Sequence, residues 1–356
     1  MLKRRVTKNF FIGQVGCGHL SPVSIQSMTN TDTRNIPETL TQIRKLADLG
    51  CAIIRVAVPD EEAGEALKGI VAQSPLPVIA DIHFDYKLAL LALKNGVHGL
   101  RLNPGNIGAR WKVQEVVKEA QARSIPIRIG VNSGSLEKTF LVKEGRPTAE
   151  AMVESALKHV DILESMNFGL IKISLKSSRV PLMLEAYRQI AAKVPYPLHL
   201  GVTEAGLLET SMIKSAIGIG TLLAEGIGDT IRVSVTGDPA QEIKVAQEIL
   251  HTLDLAKKKG VELISCPTCG RCQINLSALA AEVEKKLAAV KVPLKVAVMG
   301  CAVNGPGEAR EADVGIAGGK GEGLLFVQGQ IKKKVPEDKL VETLWQEIEN
   351  IISKGV

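Results

Sequence analysis

Eight short apolar runs recur before residue 240, each followed by a stretch of helical periodicity, and this alternation constrains the fold more than any other property of the chain. The runs are Val23–Gln26, Ala52–Ala57, Pro77–Asp81, His98–Leu102, Pro126–Val131, Gly169–Ser174, Leu198–Val202 and Thr230–Val235. Pro37–Leu49 typifies the intervening segments: Leu40, Ile43, Leu46 and Leu49 share a helical face, Pro37 opens the helix and Gly50 closes it. Repeated strand–helix units predict a parallel sheet covered by helices, and eight of them predict an N-terminal TIM (β/α)8 barrel. An open doubly wound sheet is the alternative. Against a dinucleotide-binding form of it, no G-x-G-x-x-G opens a helix: Gly13, Gly16 and Gly18 are wrongly spaced, and Gly218-Ile219-Gly220 lacks the third glycine.

The pattern changes after Lys257-Lys258-Lys259-Gly260, which reads as a junction. Val261–Ser265, Leu294–Met299, Asp313–Ala317 and Leu324–Val327 are expected to be strands, and Leu276, Leu279, Val283 and Leu287 mark a helix. A last helix is expected from Pro336, carrying Leu340, Leu344, Ile348 and Ile351. Gly318–Gly323 lacks the Ser/Thr and following helix of a phosphate-binding loop, so it is expected to join two strands as a hairpin. The prediction is a barrel domain over residues 1–257 and a smaller C-terminal α/β domain over residues 261–356.

Along a barrel strand, successive side chains face the helices and the interior in turn. Assigning Ile54 and Val56 to the helix side sends Arg55 inward. The same rule places Asp81 and His83, Arg101 and Asn103, Arg128 and Asn132, Lys172 and Ser174, and Arg232 and Ser234 inside. Five cations on five strands repel unless something anionic shares the space. Two readings follow: a ligand with more than one phosphate, whose oxygens match guanidinium forks, or a structural network with Asp81, Glu204 and other acids. Glu204, in Leu200-Gly201-Val202-Thr203-Glu204, falls at the C-terminal strand edge where barrel enzymes keep their chemistry, and is a candidate proton donor. Cys17 and Cys51 are expected to be structural.

Cys266-Pro267-Thr268-Cys269, then Cys301 and, behind a Gly-Pro-Gly bend, Glu308, supply three thiols and a carboxylate. Soft metal centres take thiolates, and iron–sulfur clusters are normally held by four of them. An oxygen as fourth ligand leaves one iron exchangeable. Cys272 extends the first pair to C-x2-C-x2-C, so a four-thiolate cluster and a four-cysteine zinc site compete on spacing alone.

Six cysteines in a chain of 356 residues read as metal or catalytic thiols rather than a disulfide scaffold. Aromatic residues make up only 3%, too few for a base-stacking surface, so the +6 net charge is assigned to local cation sites and no nucleic-acid partner is expected. No apolar run approaches the ~20 residues of a membrane span. Met1–Arg5 is basic without a following apolar core, so a cytoplasmic protein without membrane contact is expected.

Seven blocks in order along nearly the whole chain resemble the bacterial 4-hydroxy-3-methylbut-2-enyl diphosphate synthases of the methylerythritol phosphate route to isoprenoids. They are Ser27–Thr31 (SMTNT), Ala80–Phe84 (ADIHF), Leu102–Gly108 (LNPGNIG), Arg128–Asn132 (RIGVN), Leu200–Gly206 (LGVTEAG), Cys266–Cys269 (CPTC) and Cys301–Glu308 (CAVNGPGE). The resemblance implies a 4Fe–4S cluster on Cys266, Cys269, Cys301 and Glu308, with Cys272 outside the ligand set. It implies a two-electron reductive ring opening and dehydration of methylerythritol cyclodiphosphate, with Glu204 supplying the proton. Arg55, Arg101, Arg128, Lys172 and Arg232, helped by Asn103, Asn132 and Ser234 and flanked by Asp81, His83 and Ser174, are then the substrate-binding set. Reduced flavodoxin or ferredoxin is the implied electron donor. A head-to-tail homodimer, in which one chain's cluster domain caps the other's barrel, is the implied assembly. Two rival readings are an electron-transfer protein on a barrel scaffold and a barrel transferase of the pterin-binding kind.

Overall fold

A computed structural model describes residues 3–137, 140, 146–257, 260–301, 307 and 310–354. The chain divides into two compact units, Met1–Ala256 and Lys257–Val356.

The first unit opens with an antiparallel hairpin, β1 (Phe10–Ile12) and β2 (Val15–Cys17). Then come β3 (Ser24–Met28), β4 (Ile53–Ala57), β5 (Val78–Asp81), β6 (Gly99–Leu102), β7 (Ile127–Asn132), β8 (Ile171–Lys176), β9 (His199–Leu200) and β10 (Thr230–Ile231). These eight pair in parallel in the order 8-7-6-5-4-3-10-9. A bridge between Ile173 and Leu198 joins β8 to β9 and closes the ring into a barrel. A helix follows every strand: Ile36–Asp48, Glu61–Gln73, Tyr86–Lys94, Arg110–Ala122, Ala149–Glu164, Val180–Lys193, Leu208–Ala224 and Pro239–Thr252. Their starts are set locally. Asn35, Asp60, Thr148 and Asp238 each accept a backbone N–H of the first turn, satisfying donors that have no intrahelical partner.

Strand residues on the helix side form one hydrophobic layer with the helices. Ile54, Val56, Ala80, Ile82, Leu100, Leu102, Ile127, Ile129, Ile171, Ile173, Ile231 and Val233 all belong to it. Each such enclosed Ile, Val or Leu contributes about 2 kcal/mol. The alternate residues, facing inward, are largely polar. At the N-terminal end the interior is stoppered by the hairpin: Phe10, Ile12 and Cys17 pack on Ile53 and Ile79. Arg4 and Arg5 tie this leader down. Arg4 pairs with Asp229 at 2.8 Å, and Arg5 donates to the carbonyls of Ala191, Val194 and Tyr196.

The second unit is a five-stranded sheet in sequence order: β11 (Val261–Ser265), β12 (Leu294–Met299), β13 (Val314–Gly318), β14 (Glu322–Val327) and β15 (Gln330–Pro336). β11, β12 and β13 are parallel, with Leu276–Leu287 crossing between the first two; β13, β14 and β15 are antiparallel. Gly318–Gly323 therefore forms the closed end of a hairpin: Gly318 ends β13, Glu322 begins β14, and Gly318 pairs with Gly323. The last helix does not start at Pro336. That residue ends β15, a 3-10 turn spans Glu337–Lys339, and the helix runs Leu340–Ser353. The strand escaped sequence reading because Lys332, Lys333 and Lys334 leave it no apolar run, as suits an exposed sheet edge. No helix among the described residues is long and apolar enough to cross a membrane.

Candidate active site

The C-terminal ends of the barrel strands enclose a polar cavity of about 140 Å³. Five cations line it: Arg55 from β4, Arg101 from β6, Arg128 from β7, Lys176 from β8 and Arg232 just past β10. Asp81, His83, Asn132, Thr203 and Ser234 complete the wall. Asp81 fixes two of the guanidiniums, with Oδ1 3.2 Å from Arg101 Nη1 and Oδ2 3.7 Å from Arg55 Nε, and lies 3.5 Å from His83 Nε2. Burial pushes its carboxyl up, but Arg55, the His83 hydrogen bond and Arg101 outweigh that and hold it well below the ordinary carboxylate range. Arg232 is fixed by Glu242, a buried residue in the first turn of Pro239–Thr252, at 3.0 and 3.2 Å. Ser27 Oγ donates to Glu242 at 2.8 Å and sets its orientation.

Among the described residues two carboxylates, Asp81 and Glu242, thus oppose four guanidiniums and the Lys176 amine, leaving positive charge in excess around a small space. Arg128 is only 2% exposed, donates to Ser174 Oγ at 2.6 Å, and has no partner for Nε or Nη2 among the described residues. Burial and then the fields of Arg55 and Arg101 push its pKa down, though a guanidinium remains protonated in a protein. Lys176 is also buried, and desolvation, then Arg128, Arg232 and Arg55, push its ammonium well below the ordinary lysine range. Unpaired buried donors with excess positive charge call for an anionic acceptor.

Two glycines at inward positions make the arrangement possible. A Cβ on Gly130 would lie 2.5 Å from Arg101 Nε, and one on Gly201 would lie 2.6 Å from the Arg232 carbonyl oxygen and 2.7 Å from Lys176 Nζ.

The remaining sequence candidates fall elsewhere. Lys172 and Ser174 point inward as alternation requires, but Lys172 borders a separate tiny cavity toward the N-terminal end, with Ile12, Ile79 and Pro126. Lys172 is 2% exposed, its ammonium has no hydrogen-bond partner among the described residues, and burial pushes its pKa down to about 8. Asn103 is buried just past β6 and does not line the mouth cavity. Glu204 is exposed, four residues beyond the end of β9, with φ +51, a left-handed conformation uncommon for a side-chain-bearing residue. Its neighbour Thr203 lines the cavity. Cys17 and Cys51 are buried, and burial pushes both thiols up to about 11. Lys176 escaped sequence reading; continuing the inward alternation of Lys172 and Ser174 past Leu175 finds it.

In the second unit Cys266 follows β11 and Cys301 follows Gly300 at the end of the adjacent parallel strand β12. Gly300 N–H donates to Cys266 Sγ at 3.3 Å, and a Cβ on Gly300 would lie 2.5 Å from Cys272 Sγ. Cys269 is exposed, Cys266 and Cys272 are half-buried and Cys301 is buried. Glu308 lies outside the described residues. Among the described residues no three His, Cys, Asp or Glu side chains converge closely enough to hold a metal ion. The donor chemistry nonetheless suits a soft metal: thiols from two neighbouring strand ends, one already accepting a backbone N–H as a metal-bound thiolate does.

A closed (β/α)8 barrel gathering buried cations at its C-terminal mouth, followed by a thiol-bearing α/β unit, defines a two-domain barrel enzyme. Residues 7–247 match the GcpE TIM-barrel domain and residues 262–350 the GcpE protein C-terminal domain. The chain belongs to the GcpE family. A relative from Geobacter sulfurreducens, 4-hydroxy-3-methylbut-2-en-1-yl diphosphate synthase (flavodoxin), is 62% identical over 348 residues, covering 98% of each chain. The synthases of the same name from Clostridium perfringens and Brevibacillus brevis are 59% and 57% identical, covering 98% and 99% of this chain and 100% and 98% of theirs. Among solved structures, dihydropteroate synthase from Stenotrophomonas maltophilia superposes with a TM-score of 0.51 at 12% identity, covering 68% of this chain and 98% of its own. That likeness shows the barrel fold alone.

Proposed function

We propose that this enzyme carries out the two-electron reductive dehydration and ring opening of 2-C-methyl-D-erythritol 2,4-cyclodiphosphate to (E)-4-hydroxy-3-methylbut-2-enyl diphosphate. The observation that carries the reading is the mouth cavity, where four guanidiniums and the Lys176 amine, opposed by only two carboxylates among the described residues, line a space suited to a small polyanion. The names of relatives 57–62% identical over nearly the whole chain support the reaction.

Arg55, Arg101, Arg128, Lys176 and Arg232 bind the diphosphate in this reading, with Asn132, Ser234 and Thr203 as neutral donors. Lys176 takes the place that sequence alternation gave to Lys172. Asp81 and Glu242 hold their guanidiniums in position before substrate arrives, so little ordering remains for the binding step. The same donors stabilise negative charge developing on the departing ring oxygen. Glu204 is the proposed proton donor to the leaving hydroxyl. Cys266, Cys269 and Cys301, with Glu308, are the proposed holders of a 4Fe–4S cluster, which when bound supplies the two electrons singly. Flavodoxin is the proposed donor, after the names of the relatives. We place the enzyme in the cytosol as a head-to-tail homodimer.

Anaerobic incubation of reconstituted enzyme with the cyclodiphosphate and a low-potential reductant, followed by phosphorus NMR, tests the reading. An acyclic diphosphate is expected; a cyclic substrate left intact by iron-loaded, reduced enzyme overturns it.

A further inference from the structure

Cys272 is the one thiol of the Cys266–Cys272 segment that the proposed ligand set leaves unused. Cys266-Pro267-Thr268-Cys269-Gly270-Arg271-Cys272 contains two overlapping C-x-x-C pairs that share Cys269. They are not equivalent in the structure. Cys272 N–H donates to the Cys269 carbonyl at 2.9 Å, closing a four-residue turn through Gly270 and Arg271. Such a turn brings its end Cα atoms within about 7 Å, inside the range a disulfide spans. Cys266 is engaged differently, its sulfur accepting the Gly300 N–H on the neighbouring strand. Cys269 is exposed and Cys272 half-buried, the arrangement of an attacking and a resolving thiol.

We propose that Cys269 and Cys272 form a reversible dithiol–disulfide couple with low-molecular-weight disulfides, and that its oxidised form withholds Cys269 from metal loading. The second clause rests on the ligand set proposed above; the first stands on the turn. The chemistry balances as two exchanges. Cys269 Sγ, as thiolate, attacks one sulfur of glutathione disulfide, breaking its S–S bond and releasing one glutathione thiolate. Cys272 Sγ, giving up its 3.3 Å contact to the Ile274 carbonyl, then attacks Cys269 Sγ and releases the second. The two protein thiols lose two electrons, glutathione disulfide gains them, and both thiol protons end on glutathione.

The sequence supplies a direct readout. Trypsin cuts after Arg271, so a Cys269–Cys272 bond links two peptides, whereas a Cys266–Cys269 bond stays within one. Full-length, reduced, metal-free protein is equilibrated with glutathione disulfide, acid-quenched, alkylated and mapped by mass spectrometry without reductant. The cross-linked pair is expected in wild type. Its loss, with glutathione retained on Cys269, is expected in Cys272→Ser. Wild type that accumulates the Cys266–Cys269 bond, or Cys269 capped by glutathione alone, overturns the couple. Oxidised and reduced wild type are then offered ferrous iron and sulfide anaerobically and assayed for bound iron. Loss of uptake only in the oxidised chain, restored by dithiothreitol, is expected. Equal uptake by both forms overturns the withholding role. No uptake by the reduced chain refutes the ligand set and the withholding role with it, while the peptide map independently decides the couple.

Discussion

Lys172 and Lys176 lie four residues apart on the inward face of one strand, and their surroundings give them different work. Both are buried and both are pushed down by desolvation. Lys176 faces the anion-seeking cavity, so a bound diphosphate raises its pKa again. Wherever the pH lies between the free and bound values, binding takes up a proton, and affinity falls as pH rises above the free value. Titration calorimetry of the cyclodiphosphate in buffers of different ionisation enthalpy is expected to show net proton uptake, diminished in Lys176→Met. Lys172 has no ligand to recover its charge. Its drop from 10.5 to about 8, at about 1.4 kcal/mol per pH unit, is a penalty of about 3 kcal/mol. The sign follows from proton counts: between about 8 and 10.5 the unfolded chain binds more protons, so stability rises with pH across that window. The penalty is fully present below 8. Lys172→Met is therefore expected to be more stable than wild type at pH 7, with the gap closing by pH 10, measured by denaturant unfolding. Unchanged substrate affinity in this variant is the companion expectation. The inward direction of Lys172 was legible from alternation; its depth was not, because periodicity gives a side chain's face but not its level along the barrel axis.

At the scale of strands, the inward glycines separate binding from folding. On β7, the three atoms nearest the Cβ of a Gly130→Ala variant all belong to the Arg101 guanidinium, the end of a side chain that can move if it yields its contact with Asp81. Beyond β9, a Gly201→Ala Cβ meets the Arg232 backbone carbonyl, which cannot move without shifting the strand. Gly130→Ala is expected to raise KM by ~10- to 100-fold, the loss of one charge-assisted pair, with stability nearly intact. Gly201→Ala is expected to be destabilised by ~1–3 kcal/mol, the range for overpacking a filled interior. Comparable loss of stability in both variants would contradict this division. The barrel strands were readable because Ile, Val and Leu on the helix side leave a period-two trace, as at Ile127, Ile129 and Val131. β1 and β2 left none: they cap the barrel floor through Phe10, Ile12 and Cys17, and only the fold shows what those residues cover. Glu204 was expected at a strand end, but β9 stops at Leu200 and a left-handed turn carries the carboxylate beyond it. A positive φ at a non-glycine residue has no signature in composition or spacing.

Taken as a molecule, each unit carries its own hydrophobic clusters and none of those clusters is shared between the two, so damage to one unit's chemistry need not unfold the other. The proposed reaction needs anion binding from the first unit and electron delivery from the second, and a head-to-tail dimer assigns these to different chains. That assignment has an arithmetic consequence. Let one chain carry Glu204→Gln and the other Cys301→Ser, and let the heterodimer be purified through two different affinity tags. If each working site combines one chain's barrel with the partner's thiol unit, one of the two sites is doubly damaged and the other is intact. The heterodimer then has about half the activity of wild type, although both homodimers are inactive. If each site is built within one chain, both sites of the heterodimer carry a lesion and activity stays at background. The assay demands that both single variants fold, which circular dichroism and unfolding midpoints check. It also demands that Glu204→Gln retain its iron, since its lesion lies in the first unit. Half-restored turnover in a heterodimer of two dead chains supports the shared arrangement, and background turnover with the iron of the Glu204→Gln chain retained excludes it.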